Sequence, residues 1–69
     1  MRALLNSTNL YEVIYHPSLQ IMEVYFHSGH AYRYVGVPSA VFNGLINASS
    51  AGQYYNSRIK GQFSSVRWV

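Results

Sequence analysis

The stretch IMEVYFHSGHAYRYV, residues 21–35, decides the fold, because two strand-like runs flank a short loop whose length sets which side chains share a face. Ile21 to Phe26 alternates, with Met22, Val24 and Phe26 on one side and Ile21, Glu23 and Tyr25 on the other. Ala31 to Val35 forms the second run. A two-residue Ser28-Gly29 turn pairs Phe26 with Ala31 and drives Arg33 onto the apolar face, burying a charge with no evident partner. A three-residue loop with Gly29 at positive φ pairs Phe26 with Tyr32 and Val24 with Tyr34, and leaves Arg33 beside Tyr25, diagonal to Glu23. The second register is preferred. It makes Tyr32 and Tyr34 core residues and Arg33 the exposed member, against the alternative that the two tyrosines form a platform for a nucleic-acid base.

Upstream, Leu10 to Tyr15 reads as a preceding strand, rich in β-branched and aromatic residues, and His16-Pro17-Ser18 as the turn that follows it. Residues 1–9 read as an N-terminal arm and 10–69 as the domain. Downstream, Val37-Pro38 marks a boundary, and Pro38 to Asn47 reads as a helix with Val41, Phe42, Leu45, Ile46 and Ala48 on a broad apolar face. Ser50 and Gln53 have the capping-box spacing, so a second helix should run to about Lys60 and stop at Gly61. Its Ala51, Tyr55 and Ile59 line up for burial, with Tyr54 and Arg58 on a more exposed line. Phe63 to Val69 reads as a final strand, with Val66 and Trp68 on one face and Arg67 on the other. The expected architecture is a small α+β domain, a three-stranded antiparallel meander followed by two helices and a C-terminal strand (β-β-β-α-α-β).

A chain of 69 residues with no cysteine must stabilise itself without disulfides or thiolate metal sites, and its seven Tyr, three Phe and one Trp supply the large buried rings for that. The N-terminus has too short an apolar patch for a signal peptide or a membrane span, so a cytoplasmic, soluble protein with no membrane partner is expected. Five basic residues against two glutamates give a net charge of +3, which favours an acidic or polyanionic partner or simply keeps a small domain in solution.

Catalysis has little to draw on. His16, His27 and His30 lack the Cys or Asp partners of a zinc site, Glu12 and Glu23 are both expected on the sheet, and no nucleophile-elbow or phosphate-cradling glycine motif is present. The chain is therefore read as a non-enzyme with no cofactor and no metal, its histidines being turn and surface residues.

One ordered set of residues resembles a known family: Met22-Glu23-Val24-Tyr25-Phe26, Gly29, Tyr32-Arg33-Tyr34, Val37-Pro38, Val41-Phe42, Leu45, Ala48-Ser49, Ser50, Gly52, Tyr54-Tyr55-Asn56 and Ile59-Lys60. This pattern is similar to that of the KTSC domain, a small module named for the C-terminus of some lysyl-tRNA synthetases and also found as a stand-alone protein of bacteria and phages. Met22 stands where Leu is usual and Phe42 where Tyr is usual. The synthetase association implies RNA binding by analogy and implies no catalysis.

Two functions follow as expectations. Basic residues alternate with rings in two places, Tyr25 with Arg33 and Arg67 on the outer sheet face and Tyr54 with Arg58 and Lys60 on the second helix, a combination suited to RNA or single-stranded nucleic acid. The rival is a protein-interaction module, a regulator or inhibitor of a nucleic-acid-handling protein, using the outer-face residues Ile14, Ile21, Tyr25 and Arg33 as anchors. A homodimer through that face is its structural variant.

Overall fold

A computed structural model of the chain describes residues 1–68. Its element order is β1 (Arg2–Leu4), β2 (Leu10–His16), β3 (Ile21–Phe26), β4 (Ala31–Tyr34), α1 (Ser39–Asn47), α2 (Ala51–Arg58) and β5 (Ser65–Arg67). The strands form one antiparallel sheet in the order β1-β2-β3-β4-β5, and the two helices lie between β4 and β5 in sequence. The α+β class, the meander, the helix pair and the closing strand are those expected.

The N-terminal arm adds an edge strand to that plan. Arg2, Ala3 and Leu4 pair with Ile14, Val13 and Glu12, and the N-terminal ammonium donates to the Tyr15 carbonyl at 2.6 Å. The expected final strand is shorter, Ser65–Arg67, with Val69 outside the described residues.

The β3–β4 loop is His27-Ser28-Gly29. Phe26 N–H donates to the His30 carbonyl at 2.9 Å, Gly29 N–H donates to the Phe26 carbonyl at 3.0 Å, and Gly29 has φ +95°. The loop has three residues as expected, but the register lies two residues from the expected one: Met22 faces Tyr34, Glu23 faces Arg33, Val24 faces Tyr32 and Tyr25 faces Ala31. The extra turn residue is His27 rather than His30. A slip of two leaves every side chain on its own face, so the division into inner and outer residues holds. Arg33 is thus directly opposite Glu23 and diagonal to Tyr25.

Both helices cover one face of the sheet. Leu10, Val13, Tyr15, Met22, Val24 and Tyr34 meet Val37, Phe42, Leu45, Ala51, Tyr55 and Ile59 in a single core. Tyr15 stacks on Phe42 at 5.0 Å between ring centroids, and its hydroxyl donates to the Val37 carbonyl at 2.6 Å, which satisfies the polar end of a fully buried ring. Helix α1 starts after Pro38, and α2 after Ser50, whose Oγ accepts from Gln53 N–H at 3.2 Å. Gly61, at φ +77°, turns the chain out of α2. No helix among the described residues is long and apolar enough to cross a membrane.

Candidate functional site

The residues that carry the family pattern on the sheet and those on α2 come together. Tyr32 and Tyr34 from β4, with Gly52, Tyr55, Asn56 and Lys60 from α2 and its exit, line one cleft of about 500 Å³. A second wall is made by Thr8, Asn9 and Leu10 ahead of β2 and by His27 and Ser28 of the hairpin loop. Ser7 Oγ accepts from Asn9 N–H and Leu10 N–H, each at 3.2 Å, and His27 N–H donates to the Asn9 carbonyl at 2.9 Å, so that wall is held by its own hydrogen bonds.

The floor is a pair of phenols. The hydroxyls of Tyr34 and Tyr55 lie 2.5 Å apart on residues only 3% and 7% exposed. Burial pushes both phenols above their ordinary pKa; their mutual bond adds to this at Tyr34 and partly offsets it at Tyr55. Both remain protonated and neutral. Phe26 stands edge-on to Tyr32 at 5.8 Å and to Tyr55 at 5.5 Å, which leaves half-buried Tyr32 as the ring on the sheet side of the mouth.

The cations are distributed unequally. Glu12 takes Arg2 at 2.7 Å and Glu23 takes Arg33 at 3.6 Å, whereas Arg58, Lys60 and Arg67 form no ion pair among the described residues. Lys60 is on the cleft rim. Arg67 pairs with Tyr32 across β4 and β5, which puts it on the cleft side of the sheet. The expectation that Arg67 joins Tyr25 and Arg33 on the outer face is therefore corrected. Val66, opposite Arg33, and Trp68 take that face instead.

The remaining expected site residues do not converge. Tyr25 and Arg33 belong to a separate network around Glu23, which is 8% exposed. Tyr25 Oη donates to Glu23 Oε1 at 2.8 Å, His16 Nε2 lies 3.2 Å from Oε2, and the Arg33 guanidinium carbon sits 4.3 Å from the Trp68 ring centroid. Arg33 Nε is buried there without a hydrogen-bond partner. Tyr54 is a helix–helix contact: its hydroxyl end occupies the space a Cβ on Gly44 of α1 would need. Arg58 is exposed, one helix face away from the cleft. Of the expected residues, the cleft thus gathers Lys60 and, beside Tyr32, Arg67. His27 and His30 are exposed as expected, but half-buried His16 bonds Glu23; no group of three metal-ligating side chains occurs among the described residues.

The comparisons with known proteins follow the same outline. The KTSC domain family matches residues 6–63. An uncharacterized protein of Stutzerimonas stutzeri (strain A1501) is 43% identical over 61 residues, covering 88% of this chain and 86% of that one. A lysine–tRNA ligase of Nostoc sp. (strain PCC 7120) is 47% identical over 49 residues, 71% of this chain but only 9% of the ligase. The crystal structure of a KTSC domain protein from Yersinia pestis superposes with a TM-score of 0.91 at 27% identity, over 100% of this chain and 97% of that one. Matched along nearly its whole length in both sequence and structure, the chain belongs to the KTSC domain family.

Proposed function

We propose that the chain is a non-catalytic module that binds RNA or other single-stranded nucleic acid, and that it does so at the cleft between β4 and α2. The observation that carries the reading is the charge distribution. Both glutamates are engaged by arginines on the outer face, so the net charge of +3 rests on Arg58, Lys60 and Arg67, of which Lys60 lines the cleft and Arg67 stands opposite its half-buried ring Tyr32. Cations attract phosphate and a ring accepts a base by stacking, the two ingredients of single-strand binding. The recurrence of this segment within lysine–tRNA ligases, whose substrate is a tRNA, agrees with it.

Fluorescence anisotropy with labelled single-stranded RNA and DNA oligonucleotides, repeated across a salt series, tests the reading. Binding should weaken as salt rises, and Lys60→Ala or Arg67→Ala should each lower the slope of log affinity against log salt by about 0.7. Arg33→Ala should leave the slope unchanged. Salt-independent binding, or a slope that follows Arg33 rather than Lys60 and Arg67, would refute the cleft. A partner retained from nuclease-treated lysate by the wild type and lost with Tyr25→Ala would favour the protein-interaction reading instead.

A further inference from the structure

We infer that the cleft is a one-nucleotide site, which takes a single base edge-first toward the Tyr34–Tyr55 hydroxyl pair with its phosphate at Lys60 and Arg67, rather than a track along which a strand runs. The inference rests on the nucleic-acid reading above and adds the footprint and the orientation.

Volume comes first. A cleft of about 500 Å³ falls within the range of sites that enclose one small organic ligand. A run of stacked bases needs a succession of platforms, and among the tyrosines and the phenylalanine that line the cleft Tyr32 alone is neither buried nor pinned; exposed Tyr11 stands edge-on to His27 at 5.4 Å and lines a separate hollow with Tyr25 and His30. Tyr34 and Tyr55 are buried, Phe26 is pinned edge-on between Tyr32 and Tyr55, and Tyr25 and Trp68 belong to the other face of the sheet. The cations give the same count. Lys60 lines the cleft at the exit of α2 and Arg67 stands opposite Tyr32 on β5, while the wall of Thr8 to Leu10 with His27 and Ser28 holds no lysine or arginine. A backbone crossing the cleft would leave its phosphates on that wall without a positive partner.

Orientation follows from the floor. Two neutral hydroxyls that share one hydrogen bond retain one proton to donate and lone pairs to accept, which suits the polar edge of a base. The same floor offers a phosphate no charge. The phosphate therefore belongs at the rim, beside Lys60, and the base belongs inside.

Competition measures this directly. A labelled single-stranded RNA pentanucleotide bound to the full chain is displaced by each of the four nucleoside 5′-monophosphates, by dinucleotides, by unlabelled pentanucleotides and by ribose 5-phosphate. The expected result is that the best monophosphate matches the unlabelled pentanucleotide within about tenfold, with a salt slope for the pentanucleotide of about 1.4 at most, the value for two phosphate contacts. Ribose 5-phosphate should compete far more weakly. The double variant Tyr34→Phe with Tyr55→Phe should lose monophosphate affinity while its melting transition stays cooperative. Affinity that climbs steadily from mono- to pentanucleotide, with monophosphates failing to displace, would overturn the inference and leave the nucleic-acid reading standing. Equal competition by ribose 5-phosphate would overturn it by showing a phosphate site. No binding by any of these probes would remove both.

Discussion

Deleting the hydroxyls of Tyr34 and Tyr55, singly and together, should give strongly non-additive losses of stability. Each Tyr→Phe change preserves the ring contact, in which the centroids are 6.1 Å apart at 78°, and removes only one partner of the 2.5 Å hydrogen bond. The net bond is worth about 0.5–1.5 kcal/mol, and an orphaned buried hydroxyl costs about 1–3 kcal/mol unless water reaches it. Because the pair lies on the floor of a cleft, the lower part of that range applies, so each single variant should lose about 1–2 kcal/mol. The double variant leaves two apolar edges in contact and no orphan, and should lose no more than either single variant. The resulting coupling energy, about 1–2 kcal/mol, is read from urea titrations of all four proteins, with melting temperature as a check at about 4–8 °C per kcal/mol for a domain of this size. A double variant that loses the sum of the two single losses would mean that each hydroxyl is solvated independently, and the description of the cleft floor would be wrong.

Gly44→Ala should destabilise by about 1–3 kcal/mol because its Cβ collides with the Tyr54 hydroxyl end, and should become neutral or favourable by urea titration in a Tyr54→Ala background. Stability should fall in base: burial first, and then its bond to Glu23, push the Tyr25 hydroxyl from 10.0 up to about 12. The folded state thus holds this proton more tightly, so the contribution is complete below pH 10 and is lost as pH rises through about 12; denaturant titrations over that window should show a smaller decline for Tyr25→Phe. Tyr34→Ala should cost about 3–5 kcal/mol as the loss of a buried ring, while Arg33→Ala should cost about 1–2 kcal/mol in the same assay through its stack on Trp68 and its pairing with Glu23. Equal losses for those two variants would contradict the assignment of faces.

The faces were legible in the sequence because they depend only on parity. Alternation along Ile21 to Phe26 and an odd-numbered loop put Met22, Val24, Tyr32 and Tyr34 inward whichever three residues formed the turn. Register was not legible, because HSGH contains two three-residue windows that leave Gly29 inside the loop, and only the backbone bonds of Phe26 with Gly29 and His30 distinguish them. Arg2 to Leu4 offered no alternation long enough to announce a strand. It pairs because β2 otherwise presents an open edge, which tertiary contact fills.

The site was legible only in part, and the reason is again geometric. Gly52, Asn56 and Lys60 recur every four residues on one line of α2 and its exit, next to Tyr55, and that spacing marks a helix face turned toward a cleft. Pairing cations with their nearest rings in the sequence groups Lys60 with Tyr54 and Arg58, which lie one face around. Arg67 was misplaced for a different reason: strand β5 has three residues, all exposed, so burial sets no preference and its facing depends on which residue of β4 it meets. With Tyr32 opposite Arg67, the outer face receives Val66 and Trp68. Trp68 covers Arg33, Arg33 neutralises Glu23, and the outer cation is consumed inside its own sheet. The same register delivers Arg67 to the cleft side. A one-residue slip of β5 would exchange these roles, taking Arg67 from the cleft side and leaving Glu23 beside an uncovered arginine, so the pairing of three short-strand residues determines whether Lys60 has a second cation on its side of the sheet.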